Sequence, residues 1–235
     1  SSRRRHTRYF LASRGLGDVY KRQPLIHPFW RDSVPVGDTP TRENEEAEVL
    51  GVILAGGAST RMGRDKALVE LHDRPLVSHV ADALSRVCDD LIVVGREGKL
   101  AGLDCVPDDS DGRLGPAAGV ATALRVAGDR PVLVSAVDQP FLRTETLERL
   151  IAGGDSVIPQ DGVLQVTCAT YGADLRRAIE WAVEDDVPLW RVMRMKARIV
   201  TDVEWRAWGE DGRSWFSVDT PEALQIGVRR FGDAN

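Results

Sequence analysis

The segment Leu54-Ala-Gly-Gly-Ala-Ser-Thr-Arg-Met-Gly-Arg-Asp-Lys66 gathers residues suited to holding a chain of phosphates. Small side chains at positions 55–59 let the backbone approach a ligand closely. Successive N–H groups in such a turn form a nest for an anion, and Arg61 and Lys66 add positive charge to it. The plain alternative is an ordinary βα turn with solvated charges. Neither the G-x-x-x-x-G-K-[ST] loop nor the G-x-G-x-x-G dinucleotide fingerprint fits Gly56, Gly57 and Gly63. Elsewhere, His6, His27, His72 and His79 are scattered, and Cys88, Cys105 and Cys168 contain no C-x-x-C pair. A disulfide framework and a structural zinc site are therefore not expected, and a reducing, cytoplasmic setting is.

The elements that would carry this loop alternate in type. Val49–Leu54 is an apolar run entering Gly56-Gly57, the pattern of a buried strand. Leu76, Val77, Val80, Leu84 and Val87 have helical spacing, with Pro75 tolerated at the start. Strands are expected at Leu91–Val94, Leu103–Val106, Pro131–Val137, Ser156–Pro159, Val166–Tyr171 and Ile199–Val203. Helices are expected at Pro116–Val126, Leu142–Ile151, Leu175–Val183 and Glu222–Phe231. Apolar strands alternating with helices imply an α/β fold, a mostly parallel sheet covered on both faces. Such sheets bind ligands beyond the carboxyl ends of their strands, so the loops after Leu54, Val94, Val106 and Val137 should form the site. Trp205, Trp208 and Trp215 could form an aromatic wall for a ligand, although core packing is the simpler reading, and Met193 and Met195 are expected to fill gaps in the core.

Beyond these physical readings, L-A-G-G-x-S-x-R-M-G-x-D-K resembles the signature of the molybdenum cofactor guanylyltransferase family, part of the G-rich-loop nucleotidyltransferases. Three further segments resemble that family in order: Gly115-Pro-Ala-Ala-Gly119, Val137-Asp-Gln-Pro-Phe-Leu142 and Phe216-Ser-Val-Asp-Thr-Pro-Glu-Ala-Leu224. The resemblance runs from about Val49 to Leu224. It implies a three-layer α/β/α Rossmann-like nucleotidyltransferase fold, transfer of GMP from GTP to the phosphate of molybdopterin, and release of pyrophosphate with Mg²⁺ as cofactor. By the same resemblance, Leu54, Ala55, Gly56 and Gly57 would hold the nucleotide, Lys66 its phosphates, Asp108 the GTP and Asp138 the Mg²⁺. Arg61, Lys66 and Asp138 would be the catalytic set. Transient contact with a molybdoenzyme or its chaperone would follow.

Charge neutralisation and positioning are what a protein can supply to such a transfer, and no general base is needed when the attacking phosphate is already ionised. The chain departs from the family pattern at Gly95, Val137, Ser217 and Asp219, where Asn, Cys, Asn and Asn are common. Three rival readings therefore stand: cytidylyl transfer to molybdopterin, guanylyl transfer to phospholactate, and a catalytically silent nucleotide-binding module. Asp65 favours the guanylyl reading over the cytidylyl one, whose members more often carry Pro before the lysine.

Composition bounds the rest. Of 235 residues, 43% are hydrophobic and 29% charged, ordinary globular usage. No apolar run reaches the roughly 18 residues of a membrane span. Residues 1–23 carry +6 and residues 24–235 carry −11, and so acidic a body does not suit a non-specific nucleic-acid binder. Ser2–Arg8 and Ser13–Gln23 back-translate to strings that resemble sequencing adapters, and Pro24, Pro28, Pro35 and Pro40 interrupt any helix or strand in the next stretch. Residues 1–47 are accordingly expected to be a non-native or disordered leader, and residues 48–235 the nucleotidyltransferase domain.

Overall fold

The computed structural model describes residues 48–56, 65–108 and 115–232. The chain divides into Ser1–Glu45 and Glu46–Asn235, and the described residues all belong to the second unit. The leader expected through residue 47, together with Gly57 and Arg61, lies outside the described residues.

The elements run β1 (Leu50–Leu54), β2 (Glu70–Leu71), β3 (Arg74–Pro75), α1 (Leu76–Leu84), β4 (Asp90–Val94), β5 (Lys99–Leu100), β6 (Leu103–Val106), α2 (Pro116–Ala127), β7 (Val132–Ala136) and α3 (Thr144–Ala152). Then come β8 (Val157–Asp161), β9 (Val163–Leu164), β10 (Cys168–Tyr171), α4 (Arg176–Glu184), α5 (Leu189–Lys196), β11 (Arg198–Val200), α6 (Asp202–Ala207) and α7 (Pro221–Phe231). The main sheet has the order β10-β7-β1-β4-β6-β5. Its four central strands are parallel, and β10 and β5 run antiparallel at the two edges.

Strand alternation sorts the core into two layers. Ile53, Val93 and Leu133 share one cluster with Val77, Val80 and Leu84 of α1 and Leu147 and Leu150 of α3. Leu50, Val52 and Val134 share the other with Val120 and Leu124 of α2 and Ile179 of α4. Both faces of the sheet are thereby covered, which is why its central strands β1 and β7 read as apolar runs. Each fully buried aliphatic side chain contributes roughly 1.5–3 kcal/mol. The expected three-layer, mostly parallel fold is what forms.

Two of the differences from expectation lie in the C-terminal third of the chain. The strand expected at Ile199–Val203 ends at Val200, because Thr201 takes the N-cap position and Asp202 and Glu204 occupy the first turn of α6. Acidic residues there complement the helix dipole. Just before it, α5 had no counterpart in the expected elements; Met193 is fully buried on it, whereas Met195 is 64% exposed and fills no gap.

Candidate active site

The carboxyl ends of the parallel strands meet in one hydrogen-bonded edge. The Ala55 amide donates to the Val94 carbonyl (2.9 Å), that of Gly95 to Val106 (2.9 Å) and that of Val137 to Leu54 (3.0 Å). Glycine at 95 is required by this closeness. Its φ is +97°, and a Cβ placed on it would lie 2.5 Å from both Cα and N of Gly56. An Asn, common here in the family the sequence resembles, would collide with backbone. Gly56 in turn faces Asp108, whose Oδ2 would lie 3.2 Å from a Cβ on Gly56. Leu54, Ala55, Gly56 and Asp108 are thus gathered at the expected edge. Helix α2 closes on it from Pro116 at its first turn, and Gly119 lets it approach: a Cβ there would be 2.8 Å from Leu54 Cδ2.

Lys66 and Asp138, 72 positions apart, are brought together at 3.0 Å (Nζ to Oδ2). The turn holding Asp138 is heavily constrained. Buried Gln139 folds back so that its Oε1 accepts from the Ala136 amide (3.0 Å), while its Nε2 donates to Thr167 Oγ1 (3.1 Å). The Val218 amide donates to the Asp138 carbonyl (2.8 Å), drawing in the segment before α7. That segment delivers Asp219, whose Oδ1 accepts a hydrogen bond from Lys66 Nζ. Thr220 caps α7 through Oγ1, accepting from Ala223 N (3.1 Å), with Pro221 at the first helical position. The Thr-Pro-Glu of the late motif is therefore a helix start that aims the preceding aspartate.

Electrostatics follow from this contact. Burial works against the Lys66 charge, but hydrogen bonds and attraction from Asp219 and Asp138 outweigh it and hold the ammonium above its usual range. The side chains of Lys66 and Asp138 are 17% and 18% exposed, that of Asp219 45%. Two carboxylates on one edge are hard oxygen donors of the kind Mg²⁺ takes, one or two at a time, alongside phosphate and water. The donor set fits that ion, with Asp138 and Asp219 the residues able to hold it.

Two residues of this cluster were not in the expected site. Asp219 stood out in the sequence only as a departure from Asn, and Arg96 only as the neighbour of Gly95. Arg96 Nε donates to the Ala55 carbonyl (3.1 Å), and its two terminal nitrogens each reach an oxygen of Asp65 at 2.5 Å. Arg96 thereby lowers the Asp65 carboxyl below its ordinary value. The tryptophans resolve toward packing. Trp205 and Trp215 are buried, their rings meeting edge to face at 5.2 Å. Burial pushes the Cys88 thiol up to about 12 and raises Cys168 as well, so neither thiol is primed as a nucleophile.

Comparison with known proteins agrees with this architecture. The sequence pattern of the MobA-like NTP transferase domain matches residues 51–201. The "Probable molybdenum cofactor guanylyltransferase" of Pelotomaculum thermopropionicum is 35% identical over 191 residues, covering 75% of this chain and 90% of that protein. The molybdenum cofactor guanylyltransferase of Desulfosudis oleivorans is 30% identical over 189 residues, covering 75% and 93%. Among solved structures, molybdopterin-guanine dinucleotide biosynthesis protein A of Archaeoglobus fulgidus superposes with a TM-score of 0.63 at 26% identity, covering 77% of this chain and 97% of that one. With its glycine-rich strand end, its Lys66–Asp138 contact and a domain match spanning most of the described fold, the chain belongs to the MobA-like NTP transferase family and is a nucleotidyltransferase.

Proposed function

We propose that this protein transfers GMP from GTP to the phosphate of molybdopterin. The observation that carries the reading is the convergence of Lys66, Asp138 and Asp219, drawn from three distant motifs, at the carboxyl edge of the sheet. The 30–35% identity to molybdenum cofactor guanylyltransferases over at least nine-tenths of their length supports the acceptor. In the reaction, a phosphate oxygen of molybdopterin attacks the α-phosphorus of GTP. The bond from that phosphorus to the oxygen bridging toward the β-phosphate breaks, and pyrophosphate leaves with the electron pair. Gly56, without a side chain of its own, lets the nucleotide approach the strand end closely beside Ala55, with Asp108 next to it. Lys66 sets a fixed positive charge against the phosphates; such charge, already in place, stabilises the transition state at no reorganisation cost. Held by Asp138 and Asp219, Mg²⁺ would neutralise phosphate oxygens as a Lewis acid. A cytoplasmic setting belongs to the same proposal and draws support from Cys88, Cys105 and Cys168 being free thiols.

Nucleotide selectivity tests the guanine assignment. A ligand that binds only the native state adds RT ln(1 + [L]/Kd), about 2.7 kcal/mol at a hundredfold excess. With MgCl₂ present, GTP should raise the melting temperature more than ATP, CTP or UTP. Equal shifts would remove the guanine assignment, and a preference for CTP would establish cytidylyl transfer instead.

A further inference from the structure

We infer that Arg96 is a positioning residue: one guanidinium joins the end of β1 to the turn bearing Lys66 and so holds Lys66 against Asp138. The inference rests on the role proposed for Lys66. Three donors of Arg96 are engaged, Nε with the Ala55 carbonyl and the other two with both oxygens of Asp65. Ala55 precedes the glycine-rich stretch and Asp65 follows it, so one planar group spans two points ten positions apart in sequence. Asp65 also passes the restraint on, because its Oδ1 accepts from the Ala67 amide (3.0 Å) and caps the short turn Lys66–Leu68. Ala67 and Val69 are fully buried, and the Val69 amide donates to the Lys66 carbonyl (3.1 Å). The Lys66 backbone is therefore pinned between a buried turn and a guanidinium fork.

Exposed ion pairs usually contribute little. This one differs in being bidentate, in having side chains only 25% and 31% exposed, and in carrying a third bond to backbone. Gly95 makes it reachable, since the close approach of Gly95 to Gly56 brings the next residue alongside Ala55. Lysine could not substitute for Arg96: an ammonium is a point charge, whereas the fork meets a carboxylate and a carbonyl together. The staple is separate from the Lys66–Asp138–Asp219 contacts and acts on them through the backbone.

The test uses the full chain and the variants Arg96→Ala, Arg96→Lys, Asp65→Asn and the double Arg96→Ala/Asp65→Asn. Asn keeps the capping oxygen but loses the charged fork. Hydrogen exchange followed by mass spectrometry reads peptides covering residues 65–71, and pyrophosphate release from GTP with MgCl₂ and molybdopterin gives kcat and KM. Arg96→Ala should speed exchange of the amides at 67 and 69 while leaving peptides of α4 unchanged. Because small misplacements of a catalytic group can cost on the order of a hundredfold, kcat should fall about tenfold or more, with KM for GTP changed less. Arg96→Lys should not recover the loss, and the double variant should be no worse than the poorer single one. Unchanged exchange at 67 and 69, parental kcat in folded Arg96→Ala, or losses that multiply in the double variant would each overturn the inference. Parental silence toward GTP and molybdopterin would count against the proposed function alone, since the exchange measurement reads the staple without substrate.

Discussion

Asp138 and Lys66 carry opposite charges at one point, and their loss should separate cleanly in kinetics. Asp138→Asn keeps the side chain's shape, and the turn around it is held by Gln139 and Val218 rather than by the carboxylate, so the ligand-free melting temperature should hardly change. Turnover should fall about a hundredfold or more, the scale of losing one preorganised electrostatic group. Added Mg²⁺ should partly restore Asp138→Asn by filling a weakened site, and should do nothing for Lys66→Ala, which lacks the ammonium. A Mg²⁺ titration of pyrophosphate release for both variants distinguishes them; parental activity of Asp138→Asn at low Mg²⁺ would contradict the metal role. Asp65 supplies a pH signature. Its carboxyl is lowered by Arg96, so the pair's stabilisation is complete above the ordinary carboxylate range and is lost as pH falls through the lowered value. Between about pH 5 and about pH 3, Asp65→Asn should therefore lose less melting temperature than the parent, provided other carboxylates titrate alike in both.

At the scale of elements, β1, β4 and β7 were legible because strands buried in the middle of a covered sheet leave apolar runs, as Leu50–Leu54 and Val132–Ala136 do. The hairpin of β2 and β3 was not. Its turn residues His72 and Asp73 sit at φ +50° and +58° without the glycine that usually announces such a turn. Helix α5 hid for a different reason: its buried Leu189, Val192 and Met193 are few and alternate with Arg191 and Arg194. Within the site, Lys66 and Asp138 lie in recognisable motifs, while the pairing of Lys66 with Asp219 spans 153 positions and that of Arg96 with Asp65 spans 31. Pairings of that range exist only once the sheet order is known. The junction of β4 with β1 also makes a prediction. Gly95→Asn would place a Cβ against Gly56 backbone at an unfavourable φ, costing about 1–3 kcal/mol. The melting temperature should drop by roughly 2–12 °C; an unchanged melt would show that the two loops leave room for a side chain.

For the whole molecule, the question is how an acidic body serves two anionic substrates. Residues 24–235 carry −11, and at the carboxyl edge of the sheet Lys66 and Arg96 are already paired with carboxylates, so we propose that bound Mg²⁺ would supply the positive charge the anionic substrates require. No helix among the described residues is long and apolar enough to cross a membrane. We propose that residues 48–235 suffice for folding, since both core layers close within them; a cooperative melt after removal of residues 1–47 is the expected result, and its loss would assign structure to the leader. The central claim is chemical, and one measurement meets it directly. Purified protein, GTP, MgCl₂ and molybdopterin should give a product heavier than molybdopterin by one guanylyl group, with one pyrophosphate released per product formed. Mass spectrometry of the acceptor beside a pyrophosphate assay reads both. Pyrophosphate without the guanylylated pterin, or a cytidylyl adduct formed in preference when CTP competes with GTP, would contradict the account.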